Sequence, residues 1–192
     1  MPEKRPEVLD FLLTRRSRPA KTLAAPVPSD DELRTLLRAA GRVPDHGKLG
    51  PWRFIVLKRG ALQRLASAVV ERGKALGIAP EAIEKMRRQF ADSDLAVAVI
   101  ASPKPSEKVP EIEQILSAGA AALSLLNAGL AAGWGANWLT GWAAHDRAFV
   151  EAELGLEPQE FVAGFIHIGT ETVVPPERPR PDVEALTRWV EE

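Results

Sequence analysis

The sequence lacks cysteine and tyrosine entirely, and only two of its 192 residues are methionine. Without cysteine the chain can form neither disulfides nor thiolate metal sites, and it has no thiol nucleophile. It also lacks an excess of charge of either sign, because 25 basic residues are balanced by 26 acidic ones. A near-neutral chain without a basic stripe indicates neither a nucleic-acid partner nor an anionic membrane surface.

Familiar motifs are missing as well. The sequence contains no phosphate loop of the Walker type, no GxGxxG after a strand and no HExxH, and its three histidines, His46, His145 and His167, lie far apart. No metal site is therefore predicted. The N-terminal residues MPEKRPEVLD carry charge in place of the apolar region of a secretory signal, so we expect a cytoplasmic protein. The length fits a single domain, 1–192.

A long segment without Asp, Glu, Lys or Arg extends from Gln114 to Ala144. Apolar residues recur in it, and just before it, at alternating steps of four and three, which is typical of a packed helix seam: Ile112, Leu116, Gly119, Leu123, Leu126 and Leu130. A membrane span is the alternative, but serine, asparagine and glycine dilute the run and no basic cluster flanks it. The pattern favours a buried central helix that is shared with a second subunit.

The remaining periodicity predicts helices and strands in the order α, α, β, α, α, β, α, β, α, β, α. A capping box, Ser29 to Glu32, begins the second helix, and Asp182 is expected to cap a last short helix that ends at Val190. Paired helices between strands indicate an α+β fold. The predicted strands are Trp52–Lys58, Leu95–Ala101, Ala136–Thr140 and Phe161–Ile168.

A basic cluster, Arg15-Arg16-Ser17-Arg18, lies where the first predicted helix, Glu7 to Thr14, ends. Guanidinium groups beside a hydroxyl and free backbone N–H groups suit a phosphate. The alternative is a solvated helix C-terminus, where arginines interact favourably with the helix dipole. The cluster by itself favours that alternative.

A second candidate is the loop RVPDHGKLGPWRF, residues 42–54, in which Arg42 and His46 could bond the polar edge of a ligand. The alternative is a purely structural loop.

Three tryptophans in the charge-free segment, Trp134, Trp138 and Trp142, could support a planar cofactor, and the alternative is ordinary packing in the core or at a dimer interface. Together these signals indicate a planar, phosphate-bearing ligand with polar edges, which is a description of flavin mononucleotide (FMN).

Four stretches resemble the nitroreductase family, in particular its short branch, and they span nearly the whole chain. They are Arg15-Arg16-Ser17, AAGRVPDHGKLGPWRF (39–54), KVPEIEQILSAGAAALSLLNAGLAAGWGANWLTG (108–141) and GFIHIGT (164–170). The most specific part is the pattern R-x-P-D-H-x-x-x-x-P-W. The resemblance implies an α+β nitroreductase-like fold, in which helices flank a central antiparallel sheet, and an intertwined homodimer with FMN at the subunit interface.

The resemblance also implies roles for individual residues. Arg15, Arg16 and Ser17 would hold the phosphate and the polar ring edge of FMN. Arg42 and His46 would reach the same flavin from the partner subunit.

Further roles follow for the charge-free segment. Trp138, Leu139 and Thr140 would line the flavin, and Ala128 would lie at the nicotinamide cofactor. Leu139 stands where related sequences carry an arginine, so only its backbone could make that contact. GFIHIGT lacks the lysine that larger members carry after the glycine, which leaves Arg178 or Arg180 as the substitute.

The activity implied by the resemblance is ping-pong transfer of hydride from NAD(P)H through FMN to a nitro compound, a quinone or a related acceptor. The chemistry would be carried by FMN, so no catalytic protein residue is predicted. Arg16 or Arg42 would stabilise negative charge on the reduced ring. The alternatives are another flavin chemistry, such as dehalogenation or desaturation, and a flavin-binding dimer that stores or senses FMN. The sequence leaves open the physiological acceptor and the choice between NADH and NADPH.

Overall fold

A computed structural model describes residues 3–192, and these form six α-helices and five β-strands. The four predicted strands and the first six predicted helices are all present, with ends that differ by a few residues. The helices are α1 (Pro6–Thr14), α2 (Asp30–Ala40), α3 (Arg59–Ala75), α4 (Pro80–Ala91), α5 (Glu111–Ala131) and α6 (Arg147–Leu154). The strands are β1 (Leu23–Ala24), β2 (Trp52–Lys58), β3 (Leu95–Ala101), β4 (Gly135–Leu139) and β5 (Phe161–Glu171).

All strand pairs of the sheet are antiparallel, which confirms the predicted α+β class. Phe165 of β5 pairs with Ala98 of β3 on one side and with Leu139 of β4 on the other. β2 lies beyond β3, and β1 pairs with the last residues of β5. β4 and β2 are thus separated by β5 and β3. At about 4.8 Å per strand step, the two edges lie roughly 14 Å apart.

Helices cover both faces of the sheet. Ala98 and Phe165 point toward α3, α4 and α6, where the rings of Phe165 and Phe90 meet edge to face at 5.1 Å. Val97 and Ile166 point toward α2 and α5 on the opposite face. Both faces of β3 are therefore buried, and this explains why its sequence is continuously apolar.

Helix α5 confirms the predicted central helix, and within one chain the residues of the predicted seam divide between its buried face and its exposed face. The residues it buries are mostly small or polar: Gln114, Ser117, Ala118, Ala121, Ala122, Leu125, Leu126 and Gly129. Ile112, Leu116 and Leu123 are instead 58%, 65% and 44% exposed. Small side chains let α5 approach the sheet closely, and the larger ones form an apolar stripe on its outer face. α5 is long and apolar enough to cross a membrane by length and composition alone, and 44% of its most apolar window is buried within the chain.

The C-terminal tail corrects a second prediction, because residues 182–190 contain only a turn at 183–186 and no helix. The Asp182 carboxylate accepts the backbone N–H groups of Glu184 and Ala185, as a cap would. However, Leu186 and Trp189 are 76% and 79% exposed, so packing does not support a helix. The sequence also failed to indicate β1, whose pairing extends β5 beyond the predicted end at Ile168.

Candidate functional site

The basic cluster after α1 runs along the open edge of β4. The backbone N–H of Arg18 donates to the carbonyl of Ala136 at 2.8 Å, and the Asn137 side chain donates to the carbonyl of Arg18 at 2.7 Å. Through these bonds the structure brings the predicted residues 15–17 next to the predicted stretch Trp138–Thr140. The two stretches lie more than 110 positions apart in the sequence, so only the fold makes them neighbours.

At one end of this edge lies a cleft of about 290 Å³, which we call the arginine cleft. Arg15, Arg16 and Arg18 contribute most of its charge, and Glu171 is its acidic residue. Glu171 lies 3.4 Å from Arg18, so the other two guanidinium groups have no carboxylate of their own in the cleft. Phe11 and Trp134 supply apolar walls.

The guanidinium groups of the arginine cleft are only partly satisfied. Arg15 donates to the Ser17 hydroxyl at 2.9 Å, and Arg16 donates to the Ser17 carbonyl at 3.1 Å. The Nε atoms of both arginines are buried and find no hydrogen-bond partner in the part of the chain that the structure describes. Burial lowers the pKa of Arg15, and the nearby charges of Arg180, Arg16 and Arg18 lower it further. Crowded cations with free donors form a site for a compact anion.

The C-terminal tail adds Arg180 to this group of charges. Arg180 is the first of the cations that depress the pKa of Arg15, and Arg16 in turn contributes to lowering the pKa of Glu177 in the tail. The Arg180 side chain is held by Glu177 at 2.8 Å. Of the two arginines that the sequence left as alternatives near the phosphate, Arg180 is the one whose charge lowers the pKa of Arg15, although neither is among the described residues that line the arginine cleft.

At the other end of the same edge lies a larger cleft of about 740 Å³, the α4 cleft, between α4, the segment 19–21 and β4. Leu139 and Pro19 line it with apolar surface, while Gln89, Ser93 and Asn137 line it with neutral polar groups. Gln89 donates to the Thr140 carbonyl at 3.1 Å and so joins α4 to the end of β4. The α4 cleft is also lined by charged residues of both signs: Lys21, Lys85, Arg88, Glu81, Glu84 and Asp92.

The three tryptophans do not form one platform. Trp134 lines the arginine cleft, whereas Trp142 packs against Phe149 in the core between α3 and α6. The Trp138 indole N–H donates to the Ala163 carbonyl at 3.1 Å, and its ring lies over Gly164. The interpretation of the tryptophans as a shared support is therefore wrong. Trp134 and Trp138 pack against the cluster between the sheet, α2 and α5, whereas Trp142 packs on the opposite face of the sheet.

The loop that carries Arg42 and His46 is rigidly attached to the first half of α5. His46 Nδ1 lies 2.7 Å from the Glu113 carboxylate, and the Ser117 hydroxyl donates to the Pro44 carbonyl at 2.6 Å. Within the loop the Asp45 carboxylate accepts the backbone N–H groups of residues 49 and 50. Gly47 and Lys48 have φ values of 74° and 56°, a conformation that this internal bonding maintains.

Arg42 and His46 do not join the other predicted site residues within one chain. Both are exposed, and their loop precedes β2 at the sheet edge that lies opposite β4. Ala128 is half-buried on α5 and is not among the described residues that line either cleft. A single subunit thus places the predicted residues in two separate groups.

Several residues at these clefts escaped the sequence interpretation. Gln89 and Ser93 come from the end of α4 and the turn after it, and no local pattern marks them. Glu171 directly follows the recognised stretch 164–170, but its partner Arg18 lies more than 60 positions away in the sequence. Glu113 lies within the recognised stretch 108–141, yet its contact with His46 could not be read from the sequence either. Within residues 3–192, no group of three or more acidic or histidine side chains is placed to hold a metal ion.

Comparison with known proteins gives one consistent result. The sequence profile described as "Nitroreductase family" matches residues 12–170. The chain is 36% identical over 165 residues to "Putative NAD(P)H nitroreductase YdjA" of Escherichia coli K12, covering 85% of this chain and 88% of that one. It is 34% identical, with the same coverage, to "Putative NAD(P)H nitroreductase" of Haemophilus influenzae.

Solved structures agree on the fold. A nitroreductase-like family protein of Bacillus cereus superimposes with a TM-score of 0.77 at 19% identity, with 100% of both chains covered. The structure of "a putative nitroreductase in complex with fmn" from Desulfovibrio desulfuricans superimposes with a TM-score of 0.74 at 21% identity, and the match covers 99% of this chain and 100% of that one.

Proposed function

The chain belongs to the nitroreductase family of oxidoreductases, and on that premise we propose that it is an FMN-dependent homodimer that uses NAD(P)H to reduce nitro compounds, quinones or related acceptors. The observation that carries the proposal is the pairing of two clefts along the β4 edge. One concentrates cations with unpaired donors, and the other is large enough for a ring system.

The arginine cleft fits the phosphate of FMN. Arg15 and Arg16 each present a buried Nε donor without a partner, and Arg180 adds charge from the tail. Arginine forks that converge on one point are the usual protein ligands of a phosphate. Glu171 neutralises only Arg18, so a dianion would still meet excess positive charge.

The α4 cleft fits the ring. Its 740 Å³ lies within the roughly 300–1,000 Å³ typical of pockets for molecules of this size. Leu139 and Pro19 offer apolar contact, and Gln89 and Asn137 offer hydrogen bonds to a polar edge. Because Asn137 and Arg18 are bonded to each other, the two clefts keep a constant spacing along β4.

When bound, FMN supplies the hydride acceptor and donor that the side chains of this protein lack. The protein's own part is to hold the phosphate, orient the ring and present an apolar surface to the reactants. None of these tasks needs a protein nucleophile, which agrees with the absence of cysteine and tyrosine.

A homodimer would unite the two groups of site residues. Most soluble homodimers are two-fold symmetric, and a helix that crosses the two-fold axis packs antiparallel to its copy. α5 is about 31 Å long at roughly 1.5 Å per residue, and its exposed apolar stripe is the surface for that packing. The Glu113 end, which holds His46, would then face the Leu130 end of the partner, which lines the arginine cleft.

This arrangement supports the assignment of Arg42 and His46 to the partner's flavin. It would also bring Ala128, near the end of α5, to the junction of the two subunits, where a nicotinamide would have access to the flavin. Asn127, beside it, has a buried side-chain oxygen without a hydrogen-bond partner. A contact across the interface would satisfy that oxygen.

The proposal is tested by reconstitution. The purified protein, incubated with FMN and desalted, should retain one flavin per subunit, and anaerobic NADH or NADPH should bleach the flavin's visible absorption. Protein that stays colourless after incubation with FMN would refute the proposal. Protein that holds flavin which neither nicotinamide reduces would instead be a storage or sensor protein.

A further inference from the structure

Behind the α4 cleft lies a buried histidine that the proposed function does not use. His167 on β5 is 1% exposed, and its Nδ1 lies 3.0 Å from the hydroxyl of Ser93, which lines the cleft. Its strand partner across the sheet is Asn137, another residue of the cleft, so both side chains point to the same face. His167 is thus one hydrogen bond removed from the ligand space.

The unpaired ring nitrogen decides the tautomer. His167 Nε2 is buried without a partner among residues 3–192, and burial lowers the pKa of His167 to about 4, so the ring is neutral at pH 7. A buried N–H group without an acceptor is rarer in proteins than a buried acceptor without a donor. The proton therefore resides on Nδ1, and Ser93 accepts the hydrogen bond from His167.

Ser93 then keeps its own proton to donate. Its only acceptor among the described residues is the carbonyl of Leu95 at 3.2 Å, which is long for a hydroxyl donor. The Ser93 backbone is fixed, because its N–H donates to Phe90 and its carbonyl accepts from Arg59 at 3.0 Å. A ligand oxygen in the cleft would compete well for a proton that is held so weakly.

We propose that Ser93 donates a hydrogen bond to a carbonyl oxygen of the ring system bound in the α4 cleft, and that His167 is the positioning residue that leaves this proton free. The inference rests on the proposed function, in which that ring is the flavin. Ser93, in the turn between α4 and β3, and His167, on the central strand β5, would then act together in binding the ring.

Comparing two flavins distinguishes contacts to the ring from contacts to the phosphate. Binding of riboflavin, which has no phosphate, and of FMN is measured by fluorescence quenching on flavin-free protein. Ser93→Ala should weaken the binding of both by about 3- to 10-fold, the range of one net hydrogen bond. Arg16→Ala should weaken FMN binding much more than riboflavin binding, and it serves as the control for the other cleft.

The role of His167 is tested by a double-mutant cycle. His167→Leu should reproduce the effect of Ser93→Ala, and the double variant should lose nothing more, because the histidine acts through the serine. His167→Asn, which keeps a donor near the Nδ1 position, should restore binding. A purely structural role would give additive losses and no rescue by asparagine.

Results that refute the inference differ from results that refute the proposed function. Wild-type binding of both flavins together with unchanged binding by Ser93→Ala would overturn the inference and leave the proposed function intact. Additive effects of the two substitutions would overturn the role of His167. Failure of the wild-type protein to bind either flavin would overturn the proposed function, and the inference with it.

Discussion

At the scale of single residues, the close packing of Trp138 on Gly164 determines how the end of β4 is presented. A β-carbon added to Gly164 would lie 1.9 Å from the indole nitrogen of Trp138, a distance at which the ring must move. The indole would then also lose its hydrogen bond to Ala163. Glycine is thus required here for the approach of a neighbour and not for an unusual backbone conformation.

Gly164→Ala should therefore destabilise the protein by about 1–3 kcal/mol, the range for overpacking a core, and should weaken flavin retention because Leu139 follows the displaced Trp138. Thermal unfolding and flavin titration measure the two effects. Gly60→Ala is the control, since a β-carbon at Gly60, in α3, meets nothing within 4 Å. Equal unfolding temperatures for the two variants would contradict this packing.

A second residue-scale property is the response to acid. The Arg53 guanidinium hydrogen-bonds Glu160, which is 4% exposed, and holds the pKa of that carboxyl at about 2. Its pKa in the unfolded chain is about 4.3. The folded pKa is the lower one, so the stabilisation is complete above the unfolded pKa and is lost as the pH falls toward 2.

Glu160→Gln should consequently cost about 1–2 kcal/mol at pH 7, less than a fully buried pair because Arg53 is partly exposed. Denaturant unfolding at a series of pH values should show the gap between wild type and variant closing as the pH drops from about 5 to about 2. Glu184→Gln, in the exposed tail, should show no such gap. A gap that is independent of pH would rule out the ion pair as its origin.

At the scale of elements, α5 connects the outer apolar stripe to the loop of Arg42 and His46. Ser117 is the central contact, because its hydroxyl donates to Pro44 and accepts the indole N–H of Trp52 at 3.1 Å. Any shift of α5 would thus be transmitted to this loop. The loop itself is held by its own bonds and would move as a unit.

Ser117→Ala should weaken FMN retention by roughly 3- to 10-fold, the effect of about one hydrogen bond, while the oligomeric state stays unchanged. Ser124→Ala is a matched control on the same helix, where the hydroxyl bonds the Ala39 carbonyl instead. Flavin titration and sedimentation of both variants give the comparison. Equal flavin affinity of the two variants would show that the loop does not depend on Ser117.

A separate prediction concerns the apolar stripe on the outer face of α5 as the dimer interface. Leu123→Arg would bring two unpaired charges into a two-fold interface, one from each subunit, and should weaken dimerisation by on the order of 100-fold or more. Leu76→Arg is the control, because Leu76 is 43% exposed and Leu123 44%, but Leu76 lies at the end of α3. Sedimentation velocity distinguishes them, and a Leu123→Arg variant that remains dimeric would exclude this stripe as the interface.

At the scale of the whole molecule, the sequence was sufficient for the elements with strong periodicity and for the segments that resemble the family. The four main strands were predicted in this way, and the assignment of Arg15–Ser17 to a phosphate stays a prediction. The α4 cleft could not be predicted, because Gln89 and Ser93 become neighbours of Leu139 only when α4 packs on the sheet. The tail was mispredicted because a capping residue and apolar spacing were present without a surface for the helix to pack on.

We propose that in the dimer each flavin is held by Arg15 and Arg16 of one subunit and by Arg42 and His46 of the other. The two groups lie at opposite edges of the sheet in one chain, so neither can complete a site alone. Damage to either group in a homodimer should impair both sites. A mixed dimer, in contrast, can concentrate both defects in one site.

The most direct test is to mix Arg16→Ala and His46→Ala subunits, each of which alone should retain little FMN as a stable dimer. In the heterodimer, one site combines the intact Arg16 of one subunit with the intact His46 of the other. Differently tagged subunits, refolded together and isolated as heterodimers, should bind one FMN per dimer with wild-type affinity. Heterodimers that bind flavin no better than either parent would contradict the shared site.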